Sequence, residues 1–249
     1  MYTISIITPS YNSEDKIERC IQSVAKQKDV DMEHLIIDGS SEDRTSEIVK
    51  RYPELRFFSE PDAGIYDAIN KGLNLAKGDF IALCHSDDYF LCTSALAKLI
   101  QLMHRKNTDF AYADCLYESN HTPVRYYKSG KLNSLRLSFG LAPAHTTLVM
   151  RRSVINSIGI YDLKYPVCGD FEYFTRLLGL SYSYLGKPLV AMSVGGASSF
   201  NIKSAMKLNR QLLEILQNKG IPTNLLKLMA RYPYKYLSSK LNMAKNRLE

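Results

Sequence analysis

Residues 79–90 read DFIALCHSDDYF, and this stretch decides the fold that we expect for the chain. Its apolar run, FIALC, is short and bulky enough for a buried strand, and it ends abruptly in HSDD. Adjacent carboxylates at the carboxyl end of a strand repel each other unless a cation lies between them. Since ligands of open α/β sheets bind at that edge, Asp87 and Asp88 are predicted to hold a divalent cation that neutralises a diphosphate. The structural alternative is that Ser86 and Asp87 cap the following helix.

Strands and helices alternate around this stretch. Apolar runs predict strands over residues 3–8, 33–37, 55–59 and 80–84. Helical spacing predicts helices over residues 14–27, from the polar turn after residue 38 to about 51, and over 65–76 and 93–105. This alternation predicts an α/β fold with a mostly parallel sheet, covered by helices on both faces and built from right-handed crossovers.

The pattern is less regular after residue 109. We expect strands over 110–115, 144–150 and 183–192, helices over 151–158 and from Asp170 onward, and irregular Tyr-rich structure up to residue 138. The sequence GGASS at 195–199 is flexible enough for a loop that closes over a ligand.

Polar residues directly follow the predicted strands. Tyr11 and Asn12 follow the first strand, residues 38–41 the second, and Asp87 and Asp88 the fourth, so one crevice would collect them. Each also has a structural interpretation: Asp38 as a turn former and Tyr11 as a surface aromatic. Asp170 begins a helix, where it would serve as a cap or as a general base.

Length and composition limit the choices further. The 249 residues suffice for one large core, or for a core with a smaller appendage. No apolar run approaches the roughly 18 residues of a membrane span, and MYTISIITPSYN is typical of a strand rather than a signal peptide, so we expect a cytoplasmic chain. The five cysteines are odd in number and lack CxxC spacing, which argues against a disulfide framework and a structural zinc site.

The formal net charge of +7 is unevenly distributed. Residues 203–249 contain ten basic and two acidic residues, a net charge of +8, whereas residues 1–202 have a net charge of −1. A near-neutral body with a basic tail indicates a docking surface for something anionic and argues against a nucleic-acid-binding fold.

Five ordered motifs carry a resemblance to a known family: IITPSYN, LIIDGSSEDRT, EPDAGIYDAINKGLNLAKGD, ALCHSDDYF and GDFEYFTRLL. Together, from residue 3 to about 195, they resemble family 2 glycosyltransferases with the nucleotide-sugar-binding GT-A fold. The resemblance implies nucleotide-binding roles for Pro9, Tyr11, Asp38, Asp67, Asn70, Lys71, Ser86 and Asp87. It also implies a metal-binding carboxylate at Asp87, with Asp88 beside it, and a catalytic base at Asp170, with Glu172 as a weaker candidate.

One residue departs from the family pattern. Members usually have Asp or Asn where this chain has His85. A neutral imidazole ligates manganese or hydrogen-bonds a ribose hydroxyl, but it cannot offer magnesium the oxygen ligand that this ion prefers. The choice between Mn²⁺ and Mg²⁺ therefore stays open.

The resemblance implies an inverting reaction. A divalent cation on Asp87 would stabilise the departing diphosphate, and Asp170 would take the proton of the acceptor hydroxyl. His145 contacts the donor phosphate or acceptor, or is a structural histidine. Family habit favours a uridine-diphosphate sugar, and the acceptor is expected to be a glycan or a lipid-linked molecule in polysaccharide biosynthesis.

The family pattern fades after residue 200, so we divide the chain into a GT-A domain, 1–200, and a basic amphipathic helical tail, 201–249. Its segment 231–237, RYPYKYL, mixes basic and aromatic groups as an interfacial segment does. We expect the tail to lie on an anionic membrane surface, peripheral to the inner face of the membrane. The alternatives are a solvated helical pair that covers the sheet and a dimer contact.

Other functional classes have weaker support. A sugar nucleotidyltransferase is expected to have a glycine-rich basic loop after its first strand, but residues 9–12 of this chain contain no glycine. A dinucleotide oxidoreductase lacks the GxGxxG that should open the first helix. A non-catalytic nucleotide-sugar-binding module of the same fold remains open.

Overall fold

A computed structural model describes residues 3–119, 121–194 and 202–246 of the chain. The first half alternates strands and helices as predicted: β1 (Thr3–Ser10), α1 (Ile17–Ala25), β2 (Asp31–Asp38), α2 (Thr45–Val49), β3 (Arg56–Ser59), α3 (Ile65–Leu75) and β4 (Phe80–Leu83). The second half contains β5 (Tyr89–Phe90), α4 (Ala95–Lys106), β6 (Phe110–Ser119), β7 (Thr122–Tyr127), α5 (Ser134–Ser138), β8 (Val149–Arg151), α6 (Arg152–Ile158), α7 (Gly169–Arg176), β9 (Tyr182–Ser193), α8 (Ile202–Asn218) and α9 (Leu225–Asn246).

The strands form one sheet in the order β3-β2-β1-β4-β8-β6-β9-β5, with β7 paired to β6. The ladders among β3, β2, β1 and β4, and the long ladder between β6 and β9, are parallel, whereas β8, β5 and β7 pair antiparallel with their neighbours. Parallel ladders hold most of the paired residues. The predicted α/β fold is therefore confirmed.

Helices cover both faces of the sheet. Alternate residues of β1 belong to different cores: Ile4 and Ile6 to the cluster that includes α1 and α4, and Ile7 to the cluster that includes α3, α7 and α8. All of β4 is buried, as expected for the continuous apolar run of a central strand covered on both faces.

The strand register brings the predicted polar loops to one edge. Ser10 is paired with Asp38, Asp38 with Ser59, and Ile7 with Leu83. The loops after β1, β2 and β4 therefore start side by side at the carboxyl ends of parallel strands.

Two predicted segments differ in the structure. Residues 144–150 were predicted as a strand, but His145–Thr147 form a 3₁₀ turn and the strand comprises only Val149–Arg151. The Thr147 hydroxyl donates to the carbonyl of Ala144 at 2.7 Å and closes this turn, so His145 lies on a turn and not in a strand. The predicted irregular segment up to residue 138 contains the end of β6, all of β7 and α5, and the short strand β5 was not predicted.

The C-terminal helices pack on the sheet domain. Leu212, Ile215 and Leu216 of α8 and Leu228 of α9 are buried in the same core cluster as Ile7 and Phe174. The predicted loop at 195–199 and the boundary at 200 lie outside the described residues, so the division into domain and tail stays a prediction. Among the helices that the structure describes, none has the length and apolar character needed to cross a membrane.

Candidate functional site

Hydrogen bonds join the three loops at the edge of the sheet. The backbone N–H of Asn12 donates to the Ser41 hydroxyl at 2.8 Å, and the N–H of Glu42 donates to Asn12 Oδ1 at 3.0 Å. Asn12 has a left-handed φ of 46°, which is uncommon outside glycine and is held here by both contacts. The hydroxyls of Ser13 and Ser86 lie 2.8 Å apart and connect the β1 loop to the β4 loop. The loops that the sequence predicted to meet form one connected rim.

Asp38 lies at the base of this rim and is fully buried. Its carboxylate accepts hydrogen bonds from the Ser10 hydroxyl, from the Ser41 hydroxyl and backbone N–H, and from the Ser59 hydroxyl, at distances from 2.5 to 3.1 Å. These donors occupy the carboxylate's acceptor positions, so Asp38 holds strands and loops together. A nucleotide base would have to replace one of the serine hydroxyls, and the predicted contact stays a prediction.

The residues predicted around Asp38 differ in accessibility. Pro9 is buried within the ladder opposite Ile37. Tyr11 is 62% exposed at the rim, where its ring is available to a ligand. Ser86 contacts Ser13, as described above.

The three predicted residues of α3 are held by the chain itself. Asn70 is buried, and its side chain both donates to the carbonyl of Tyr161 and accepts from the N–H of Tyr161, each at 2.8 Å. Asp67 accepts from the N–H of Ala63 at 3.0 Å. Lys71 donates to the carbonyl of Pro61 at 2.7 Å and pairs with Glu60 at 2.8 Å. They fix the loop that precedes α3 and its contact with Tyr161.

His85, Asp87 and Asp88, which the sequence predicted as metal ligands, lie close together, and we call them the metal-ligand cluster. One ligand atom from each lies within 4.8 Å of the others. Asp88 is only 1% exposed, and both its Oδ2 atom and His85 Nε2 are buried without a hydrogen-bond partner in the described part of the chain. Burial, together with the charge of Asp87, raises the pKa of Asp88 well above its ordinary value, and burial lowers the pKa of His85. A divalent cation fits these residues, because it would satisfy both orphaned atoms and the paired negative charge.

His145 lies beside this cluster. Its ring contacts the His85 ring edge-on at 5.6 Å between centroids, and its Nε2 atom lies 2.6 Å from the Tyr161 hydroxyl. Burial lowers the pKa of His145 well below its ordinary value, so the ring is neutral. The 3₁₀ turn therefore brings His145 next to the predicted metal ligands.

Asp170 lies in the first turn of α7, as predicted. The Tyr66 hydroxyl donates to its Oδ1 atom at 3.1 Å. Gly169 makes this approach possible, because a Cβ atom there would lie 2.8 Å from the Tyr66 ring. Burial raises the pKa of Asp170, and the hydrogen bond from Tyr66 partly offsets that rise.

Aromatic contacts connect Asp170 to the metal-ligand cluster. The Tyr66 ring stacks on Tyr161 at 5.6 Å, and Tyr161 leads through His145 to His85. Sequence reasoning missed both tyrosines. Tyr66 lies within the motif EPDAGIYDAINKG, so its position in the motif could have identified it as a site residue. No local pattern distinguishes Tyr161 from the other tyrosines.

Glu172 is engaged elsewhere. Its carboxylate pairs with Arg176 at 2.8 Å and with Lys219 of the α8–α9 connection at 3.4 Å. The structure therefore separates the partners of Glu172 from those of Asp170, although both side chains belong to the same helix.

Comparisons with known proteins agree with this architecture. A model of the family described as "Glycosyl transferase family 2" matches residues 5–159. A PGL/p-HBAD biosynthesis glycosyltransferase of Mycobacterium bovis (strain BCG / Pasteur 1173P2) is 30% identical over 178 residues, which are 69% of this chain and 68% of the relative.

Two solved structures show the same fold at lower identity. S. aureus TarS 1-349 in complex with UDP-GlcNAc has a TM-score of 0.67 at 22% identity, over 86% of this chain and 66% of that chain. Mannosyltransferase PcManGT from Pyrobaculum calidifontis, in complex with GDP-Man and Mn²⁺, has a TM-score of 0.65 at 16% identity, over 89% of this chain and 65% of that chain. This chain thus spans about two thirds of each.

Proposed function

Since the chain belongs to glycosyl transferase family 2 and is a glycosyltransferase, we propose that it transfers a hexosyl or N-acetylhexosaminyl group from a nucleoside-diphosphate sugar to a hydroxyl group, with inversion at the anomeric carbon. One observation carries this proposal. Asp170 and the cluster of His85, Asp87 and Asp88 are connected, through Tyr66, Tyr161 and His145, within one site at the carboxyl ends of the parallel strands.

The donor's diphosphate would lie against the acidic cluster. Asp87, Asp88 and His85 would hold a divalent cation, which supplies positive charge that screens the diphosphate as it leaves. An imidazole among the ligands favours Mn²⁺ over Mg²⁺, which prefers oxygen ligands. The TarS complex with UDP-GlcNAc and the PcManGT complex with GDP-Man and Mn²⁺ support a nucleotide sugar of this kind, and UDP is our first choice of nucleotide.

The nucleoside would occupy the rim above Asp38. Tyr11 offers an exposed ring there, and the backbone at Pro9 and the hydroxyl of Ser86 border the same loops. The side chains of Asp67, Asn70 and Lys71 form hydrogen bonds with backbone groups of the chain. They would therefore affect donor binding indirectly, by fixing the segment around α3.

Asp170 would act as the general base. A sugar hydroxyl is a poor nucleophile, and a carboxylate within reach of its proton typically contributes about two to four orders of magnitude in rate. Burial raises the proton affinity of Asp170, which suits a base. With one base and in-line displacement of the diphosphate, the anomeric configuration inverts. His145 would contact the donor or acceptor from the turn before β8, whereas Glu172 would orient α7 through its ion pairs.

The acceptor would be a glycan or lipid-linked molecule of polysaccharide biosynthesis, met at an anionic membrane surface. α9 supports this proposal because it packs on the domain and also exposes large apolar side chains: Leu226, Met229, Tyr236, Leu237 and Leu241. Basic residues of the 203–249 segment would contribute roughly 1 kcal/mol each near anionic lipid. The chain would then be a peripheral protein of the inner membrane face.

A thermal-shift panel of nucleotide sugars, with and without Mn²⁺, tests the donor site. The correct donor should raise Tm with the logarithm of its excess over Kd, and Asp87→Ala should remove the Mn²⁺-dependent part of the shift. Acceptor-dependent release of nucleoside diphosphate distinguishes an enzyme from a binding module. Donor binding without any release would contradict the transfer reaction, and the absence of any shift would contradict the donor site itself.

A further inference from the structure

A basic cavity lies between β7 and α9, outside the donor site. Four cationic residues and three tyrosines are among those that line it: Arg125, Lys128, Arg136, Lys235, Tyr126, Tyr127 and Tyr234. Lys235 belongs to α9, Arg125 to β7 and Arg136 to α5, so three separate elements direct positive charge to one place.

In the described part of the chain, carbonyl, hydroxyl and aromatic groups contact these cations. Within the residues that the structure describes, no ion pair joins a carboxylate to any of the four. Arg136 instead donates to the carbonyl of Ser129 at 2.9 Å and to the Tyr234 hydroxyl at 3.3 Å. Arg125 and Lys235 both lie over the Tyr127 ring, at 5.7 and 5.4 Å from its centroid.

Two carboxylates in this part of the molecule accept hydrogen bonds from tyrosine hydroxyls. Asp114 accepts from the hydroxyls of Tyr126 and Tyr184, each at 2.7 Å, and Asp170 accepts from Tyr66. Within the described residues no carboxylate forms an ion pair with these four cations, and like charges that converge on one place repel each other unless an anion joins them. In agreement with this, burial and the neighbouring Arg231 and Arg125 lower the pKa of Lys235 to about 7.

We propose that this cavity binds the phosphate of a phosphate-bearing lipid acceptor and thereby orients the acceptor toward Asp170. The inference rests on the proposed function and names its acceptor class. Arginine and lysine side chains around one small space are suited to phosphate oxygens. The cavity is partly open to solvent and its volume of about 10 Å³ has room for roughly one water-sized group, so one phosphate oxygen would enter it while the ester chain stays outside.

The position of the cavity suits an acceptor site. The negative charge of Asp170 raises the pKa of both Lys235 and Tyr127, so the candidate base lies within electrostatic range of the cavity wall. α9 also exposes Tyr236 and Leu237, directly after Lys235 in sequence. A lipid phosphate in the cavity would thus lie between the base and the apolar face of α9.

Binding of octyl phosphate, below its micellar concentration, to the full chain tests the inference by calorimetry. Lys235→Met and Arg136→Gln should each weaken binding by about tenfold to a hundredfold, the usual loss for a charge-assisted contact. Lys240→Met, which removes an exposed lysine of the same helix, is the matched control and should bind as the wild type does. Because Lys235→Met removes repulsion, its Tm should not fall, which separates lost binding from lost folding.

Further measurements distinguish a lipid phosphate from free phosphate and test the donor site separately. Octanol should not bind, and inorganic phosphate should bind more weakly than octyl phosphate; equal binding of the two phosphates would overturn the lipid assignment. If Lys235→Met binds octyl phosphate with wild-type affinity, or if Asp87→Ala loses that affinity instead, the assignment of the phosphate to this cavity is wrong. The donor's thermal shift is measured on the same variants: if it persists while octyl phosphate fails to bind, only this inference fails.

Discussion

Asp170 combines two local features that suit a base. Its place in the first turn of α7 gives its charged form favourable backbone N–H groups, while burial disfavours that charged form and dominates. The raised pKa means that the carboxylate remains protonated to a higher pH than an ordinary Asp. Since only the deprotonated form accepts a proton, activity should fall as pH is lowered through that raised pKa.

Asp170→Asn should remove the general base while leaving the donor site intact. The amide keeps the shape of the side chain but cannot take the acceptor's proton, so we expect kcat to fall by about two to four orders of magnitude. The donor's thermal shift with Mn²⁺ should be unchanged. A variant that retained near-wild-type kcat would exclude Asp170 as the base.

Tyr66→Phe should move the pH profile without abolishing activity. The substitution removes the hydrogen bond that Tyr66 donates to Asp170 Oδ1, and this bond favours the charged carboxylate. The pKa of Asp170 therefore rises further, and the acidic limb of kcat/KM against pH should shift to higher pH. Tyr165→Phe, at a buried tyrosine outside this contact, is the control and should keep the wild-type profile. An unshifted limb in Tyr66→Phe would contradict the role of this contact.

At the scale of elements, α3 shows how one motif serves two purposes. The resemblance suggested that Asn70 faces the donor. In the structure, the nitrogen and the oxygen of its side-chain amide each form a hydrogen bond with the backbone of Tyr161, a residue 91 positions away. Tyr161 in turn stacks on Tyr66 and contacts His145. Asn70 therefore supports the site through the aromatic residues that join Asp170 to the metal-ligand cluster.

Asn70→Ala should consequently lower stability before it lowers donor affinity. The substitution leaves a buried N–H and a buried carbonyl of Tyr161 unpaired, at a cost of roughly 2–4 kcal/mol in the free energy of unfolding. Asn74→Ala, at an exposed position of the same helix, should cost less than about 0.5 kcal/mol. Urea unfolding measures both. Unchanged stability with lost donor binding would instead support direct contact between Asn70 and the donor.

The sequence predicted those elements whose signals are local. The βα units up to β4 follow apolar runs and turn residues, and they include the strand ends that bear Asp38 and Asp87. The 144–150 segment was misread because its apolar and β-branched residues are typical of a strand, whereas Thr147 closes a turn by bonding backbone carbonyls. Contacts such as Asn70 with Tyr161, or Tyr66 with Asp170 across 104 residues, depend on tertiary packing that no local pattern encodes.

At the scale of the whole molecule, the excess charge and the exposed apolar groups coincide. Residues 203–249 carry a net charge of +8, and within them α9 buries Leu228, Arg231 and Ser239 while exposing a row of leucines on its other side. The helix therefore packs on the domain and still presents an amphipathic surface. Deleting residues 222–249 would expose part of the core, so substitutions on the exposed face test membrane binding more cleanly.

The double variant Leu226→Glu/Leu237→Glu should lose binding to anionic vesicles. Both side chains are accessible, at 80% and 59% exposure, so the fold should tolerate the change. Each leucine that enters the lipid interface contributes roughly 1.5–3 kcal/mol, and the added negative charges oppose the anionic surface. Sedimentation with vesicles should therefore show a fall in partitioning on the order of a hundredfold or more.

Ile160→Glu/Leu163→Glu makes the same charge change at exposed residues outside α9 and should bind as the wild type does. Equal binding by both double variants would mean that α9 does not face the membrane, and its exposed leucines would then be better explained by a contact between copies of the chain.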